Sequence, residues 1–252
     1  MKHLEAVTRY LHGLGTEIGA FKTPIPGIHP IYVDRFAEYA NERTLAQYYG
    51  DACDLPFYES SLDYVASSHV LEHVANPYSA LREWVRVLRH RGIIYLVVPH
   101  RQATFDHLRP LTTVEHMIAD FQATVTQCDG THIDDFVYGV DWRMFSPGTP
   151  ADEQPGAQRT LAETYRHAVD HNSEINIHFH TFEPATLRAF VEEGNRRALW
   201  PAYIEILEMA EPFPSDNPNG ILLVGKVHKP FTARIRTLLK PQGLKPDARK
   251  FS

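Results

Sequence analysis

The stretch Gly50-Asp51-Ala52-Cys53-Asp54-Leu55-Pro56-Phe57 is followed by Leu62-Asp63-Tyr64-Val65-Ala66-Ser67-Ser68-His69-Val70-Leu71-Glu72-His73-Val74 and, further on, by Ile93-Ile94-Tyr95-Leu96-Val97-Val98-Pro99. These three runs decide the fold. The apolar segments at 62–66 and 93–98 are short, rich in β-branched or aromatic residues, and do not alternate. Strands buried on both faces of a parallel sheet have this pattern. Between them, Asn76 suits a helix N-cap, Pro77 the first helical position, and Gly92 the residue just past the end. Leu81, Trp84, Val85 and Leu88 recur at helical spacing on one face. The unit is a strand–helix–strand crossover, expected to be right-handed. Ligands of such sheets bind outside the carboxyl ends of the strands. Asp51, Ser68 and His69 stand at such ends.

Working toward the N-terminus, Gly15-Thr-Glu-Ile-Gly-Ala20 reads as a strand and sharp turn, in which Gly19 lets backbone approach a ligand without an intervening Cβ. Residues 2–12 place Leu4, Val7, Tyr10 and Leu11 at helical spacing, a short helix expected over the sheet edge. Ile31-Tyr-Val-Asp34 is a second strand with an acid at its carboxyl end. Such a carboxylate suits the two hydroxyls of a ribose. Its rival role is to cap a helix beginning at Phe36. A third strand is expected near 46–49. No Gly-x-Gly-x-x-Gly follows the first strand, which argues against a nicotinamide dinucleotide.

Taken as a set, Asp51-Ala-x-x-Leu-Pro-Phe57, the strand ending in Ser68-His69, Val70-Leu-Glu-His-Val74 and Arg86-Val-Leu-Arg-His-Arg-Gly92 resemble the core of the class I S-adenosylmethionine-dependent methyltransferases. The resemblance is strongest over 14–100. Glu17-Ile-Gly-Ala20, with the later Tyr32-Val-Asp34, is similar to a branch linked to polysaccharide and natural-product pathways. The resemblance implies an α/β, Rossmann-like sheet of seven strands, mostly parallel with an antiparallel edge, helices on both faces, and a lid inserted after the fifth strand. It implies S-adenosyl-L-methionine as cofactor and S-adenosyl-L-homocysteine as product. Glu17 would then face the cofactor's ammonium, with Gly19 and Ala20 beside its methionine end and ribose. Asp34 would hold the ribose hydroxyls, Asp51 the adenine amino group, and the Ala52 amide a ring nitrogen, with Ser68 and His69 at the end of the fourth strand. The family's second glycine in the first turn is replaced here by Ala20.

The 252 residues are 43% hydrophobic and 22% charged, which fits one α/β domain with an elaboration. A formal net charge of −6 argues against nucleic acid as a partner. Two distant cysteines, Cys53 and Cys128, form no disulfide framework, so a reduced, cytoplasmic setting is expected. No apolar leader or membrane-length run is present, so no stable membrane insertion is expected.

The chain divides into a cofactor-binding half at 1–99, a lid or substrate-binding insertion at 100–181, the remainder of the core at 182–228 and a basic tail at 229–252. In the insertion, Thr112-Thr-Val-Glu115 is a capping box opening a helix to about Gln127, 141–155 is loop, and 157–170 is helical. A core helix is expected over 184–193, closed by Gly194, and strands over 203–209 and 220–227 form the antiparallel edge. From Lys229 onward, seven Lys or Arg and one Asp suggest a solvated helix and frayed end.

Eight of fifteen histidines lie in the insertion. His178-Phe-His180 sits on an extended run, and period two points both imidazoles to one face. That pair suits metal ligation with Asp134 or Asp135 as a third ligand, but a divalent metal is not the favoured reading. Methyl transfer to a hydroxyl needs a proton acceptor. The histidines favour oxygen methylation of a small polar acceptor, a sugar or natural product. The candidates are His107, just past the fifth strand, then His178 and His180, then His73 after the fourth strand. An ordinary imidazole base would give a rate falling below about pH 6.5. Methylation of nitrogen, or cofactor binding without transfer, are the alternatives.

Overall fold

Seven strands form one sheet in the order β5-β2-β1-β6-β7-β9-β8. They are β1 (Gly15–Ile18), β2 (Ile31–Asp34), β5 (Tyr48–Tyr49), β6 (Leu62–Ser68), β7 (Leu88–Pro99), β8 (Tyr203–Phe213) and β9 (Gly220–His228). The computed structural model describes residues 1–39, 41–232 and 241–251. β1, β2, β5, β6 and β7 are mutually parallel, whereas β9 runs antiparallel to both β7 and β8. The central strand β1 is buried throughout although it carries Thr16 and Glu17, and β7 is buried from Ile93 to Pro99, as that unbroken apolar run requires. β8 is the far edge, and its register slips between Ile206 and Glu208 and again between Ala210 and Phe213.

α2 (Pro77–Val87) begins at an Asn76 cap whose side chain accepts from the Ser79 amide, with Pro77 in the first turn. The helix ends five residues before Gly92. β7 starts at once at Leu88, which pairs with Leu62. Leu81, Trp84, Val85 and Leu88 all face one core, shared with α3 (Val114–Ala123) and α7 (Pro184–Arg196). The opposite face of the sheet is covered by α1 (His3–Tyr10) and by Ile25 and Ile28. α1 therefore lies over the middle of the sheet, on Tyr64, Tyr95 and Leu222, not at its edge. No helix joins β1 to β2, because Pro24, Pro26 and Pro30 interrupt that span. The helix expected after Asp34 is also absent. A hairpin of β3 (Glu38–Tyr39) and β4 (Glu42–Arg43) takes its place.

The insertion has its own core of Ile133, Phe136, Val137, Trp142, Ala162, Ile175 and Phe179. It is built from α4 (Ile133–Gly139), α5 (Trp142–Phe145) and α6 (Gln154–Asp170). α4 and α5 fall where no helix was expected, and α6 starts three residues early. The α3 cap is Thr113, accepting from the His116 amide, while the Thr112 hydroxyl accepts from Thr181 N–H instead. α7 runs through Gly194 to Arg196. The tail is not frayed where it is described. Lys250 bridges to Tyr48, Leu244 bridges to Phe57, and the Tyr49 amide donates to the Arg249 carbonyl. The helix expected in the tail lies partly outside the described residues. Among the described residues no helix is long and apolar enough to cross a membrane.

Candidate active site

A cavity of about 280 Å³ opens at the carboxyl ends of β1, β2, β5 and β6. Gly19 follows β1 with φ +70° and donates its amide to the Val33 carbonyl. A Cβ there would come within 2.5 Å of Val70 Cγ2, so the close approach of two loops requires glycine. Asp34 ends β2 and lines the cavity. One carboxylate oxygen accepts from Phe36 N–H at 3.1 Å, and burial raises its pKa above the usual carboxylate range, outweighing that bond. Asp51 and Ala52 line the same wall. The Asp51 carboxylate accepts from Cys53 N–H at 2.6 Å and pairs with Arg35 Nε at 3.0 Å. Arg35 also pairs with Glu174 of the insertion.

His69 follows β6 in a left-handed conformation, φ 56°, and lines the cavity with His73. Burial holds His69 down to about 4, helped by the neighbouring His178. Burial, again with His178, holds His73 down to about 3. Both rings are neutral at ordinary pH. Behind them Glu72 is fully buried, with neither carboxylate oxygen hydrogen-bonded. Burial, with the Asp106 charge nearby, pushes its carboxyl well upward. Glu72 Oε1 lies 3.7 Å from His69 Nδ1 and 4.0 Å from His73 Nε2.

A polar chain from the insertion supports His73. His178 meets the His73 ring edge-on at 4.6 Å between centroids, and its Nδ1 is 2.6 Å from Asp106 Oδ2. Arg109, fully buried, donates to Asp106 at 2.7 Å and to Asp135 at 2.6 Å. Burial opposes ionisation of Asp106, but His178 and Arg109 hold its pKa below the usual range. On the cavity's other wall, Gln127 donates to the His73 carbonyl and accepts from Ala75 N–H.

The structure therefore brings Gly19, Asp34, Asp51, Ala52, His69 and His73 together around one cavity. It does not bring the other expected residues there. Glu17 lies on the α1 side of the sheet, 1% exposed, accepting from Ile25 N–H at 2.9 Å. Side chains alternate along a strand, so when Ile18 faces the cavity Glu17 cannot. Ala20 and Ser68 are also outside the lining. His107 turns away, with Nδ1 3.1 Å from the Thr104 carbonyl oxygen and Nε2 3.5 Å from Asp141. His178 and His180 do not share a face. The run 175–180 forms no ladder, and its two imidazoles enter different clusters, His178 with Glu72 and His73, His180 with His116, Asp120 and His132. Asp134 pairs with Arg166 and Asp135 with Arg109, so neither joins them.

The sequence reading missed Arg35, Glu72, Asp106, Gln127, Glu174 and Asn176. Asp106 and Arg109 carried a signal, being three residues apart just past the fifth strand, and Glu72 stood inside the quoted Val70–Val74 run; Arg35, Gln127, Glu174 and Asn176 carried none.

Residues 28–96 match the family model described as a methyltransferase domain. Comparison with curated proteins finds no match. Among solved structures, an S-adenosylmethionine-dependent methyltransferase from Methanosarcina mazei is similar at 13% identity, covering 91% of this chain and 100% of that chain, with a TM-score of 0.49. One from Thermotoga maritima is similar at 16% identity, covering 90% of this chain and 88% of the other, with a TM-score of 0.45. One from Mesorhizobium loti is similar at 13% identity, covering 88% and 95%, with a TM-score of 0.45.

Proposed function

We propose, from the premise that this chain carries a class I S-adenosylmethionine-dependent methyltransferase domain, that it methylates an oxygen of a small polar molecule, a sugar or natural product. The observation that carries the reading is the pair of neutral imidazoles, His69 and His73, in the wall of a cavity that also presents Asp34 and Gly19. The residues fit the cofactor. Asp34 offers a carboxylate at the strand end, and Gly19 supplies the space a Cβ would fill. Asp34, Gly19 and Ala52 would hold it, with Asp51 after sharing its charge with Arg35. When bound, the cofactor supplies an electrophilic methyl group.

The chain's own task is to position the acceptor and take a proton from it. His73 is the proton acceptor of this reading. A third of its side chain is exposed, and His178 and Asp106 orient it. A weak base suffices, because a neutral hydroxyl becomes strongly acidic as its oxygen gains a carbon bond. Gln127, Glu174 and Asn176, all from the insertion, line the opposite wall, so 100–181 acts as the acceptor-binding lid.

Two measurements test this. Calorimetry with S-adenosylhomocysteine should show Asp34→Ala weakening binding about tenfold or more, since hydrogen bonds to charged groups contribute roughly 1.5–3 kcal/mol. Unchanged affinity would remove Asp34 from the site. With an identified acceptor, kcat/KM should stay flat from about pH 5 to 8, because His73 is already neutral there. A fall below about pH 6.5, the behaviour of an unperturbed imidazole, would reject His73 as the acceptor.

A further inference from the structure

The insertion holds a second polar cluster, apart from the cavity wall. His116, Asp120, His132 and His180 each offer one ligand atom, and the four atoms lie within 4.8 Å of one another. Three of the four residues are buried. His116 and Asp120 stand one turn apart on α3, His132 precedes α4, and His180 lies on the extended run that returns to the sheet. His116 Nε2 is 2.7 Å from His132 Nε2 and 3.3 Å from Asp120 Oδ2. His132 Nε2 and His180 Nε2 lie 3.8 and 3.9 Å from the same oxygen. Yet Asp120 Oδ2 is buried with no hydrogen-bond partner. A buried carboxylate oxygen facing three ring nitrogens, none bonded to it, is an expensive arrangement unless a cation sits among them.

We propose that these four residues bind one first-row divalent metal ion, zinc by preference. Three imidazoles and one carboxylate are a tetrahedral zinc donor set. His132 is already oriented for it. Its Nδ1 is 3.0 Å from Thr131 Oγ1 and 3.5 Å from Asp129 Oδ1, which directs Nε2 at the cluster, the pairing that metal-bound histidines ordinarily show. His116, with 44% of its side chain exposed, provides the entry path. Four protein ligands leave no open position, so the ion is structural. It clamps α3, the start of α4 and the 175–182 run together. That run also carries His178 and, beside it, the cavity residues Ile175 and Asn176. The inference does not depend on the reaction proposed above, because metal content is measured without turnover.

The test uses the full chain, stripped with chelator and reloaded with zinc. About one equivalent of zinc should remain after desalting, and cobalt loading should give visible ligand-field absorption. Chelation should lower the melting temperature by several degrees, reversed by zinc. His116→Ala, at the exposed ligand, should fold and weaken zinc binding at least about tenfold. His178→Ala, outside the set, should keep full stoichiometry. A chain that retains no zinc, gives no cobalt spectrum and melts alike with and without chelator overturns the proposal. So does loss of metal in His178→Ala with retention in His116→Ala.

Discussion

At the scale of single residues, Glu17 is the sharpest case. It stands in the sequence position that resembles a cofactor contact, yet its carboxylate is sealed beneath α1. One oxygen accepts from Ile25 N–H, the other is buried without a partner, and burial raises the carboxyl from 4.5 to about 7. The folded state thus keeps a proton that the unfolded chain releases near 4.5. Its contribution to stability is full below that pH and is lost as pH rises through about 7. Holding the carboxylate ionised above pH 7 costs roughly 3 kcal/mol, at about 1.4 kcal/mol per pH unit. Glu17→Gln should therefore be more stable than the parent at pH 8 by up to that amount, and the gain should shrink toward pH 5. Urea unfolding at the two values checks this, and an equal difference at both would disprove it. The contrast with Asp34 shows what was legible. A strand end and its last acidic residue can be read from sequence. Which face a preceding side chain takes depends on the pleat, and for a four-residue strand buried on both faces no alternation reveals it.

At the scale of elements, the helices that pack on the sheet were readable, because their apolar periodicity is strong. Short elements were not. α4 has seven residues and β3 and β4 two each, too few for periodicity to speak. α7 shows a subtler failure, since Gly194 resembles a stop signal but lies inside the helix. Its missing side chain makes room for Trp200. A Cβ there would lie 2.1 Å from Cη2 of an indole that is 2% exposed and donates to Asn195 Oδ1 at 3.0 Å. Gly→Ala in a helix interior normally gains about 1 kcal/mol. Forcing a buried ring aside costs about 1–3 kcal/mol or more. Gly194→Ala should thus lower stability by up to about 2 kcal/mol in chemical denaturation, and a stabilised variant would refute the packing argument.

At the scale of the molecule, the sheet order follows from the crossover pattern, but the docking of the insertion does not. That docking rests on Arg35 between Asp51 and Glu174, on Gln127 beneath His73, and on the Phe179 amide donating to the Glu72 carbonyl. The pairs that join insertion to core, Gln127 with His73, Phe179 with Glu72 and Arg35 with Glu174, are about 50 to 140 residues apart in sequence, so no local pattern announces them. The two margins of the sheet are finished differently. β8 is interrupted by two register slips and carries Glu205, Glu208, Glu211 and Pro212. β5 is only two residues long, and the tail lies along it through Lys250 and Arg249, with Leu244 bridging to Phe57 further on. An open strand margin is a template for a stranger's strand, and charge, bulges and proline are what deter it. One margin of this protein defends itself, whereas the other, among the described residues, is covered by the tail. Removing residues 243–251 should leave a folded molecule that self-associates as concentration rises, visible in light scattering. A truncated chain that stays monodisperse would mean that β5 is too short to recruit a neighbour. If it does associate, the tail is the molecule's guard against aggregation.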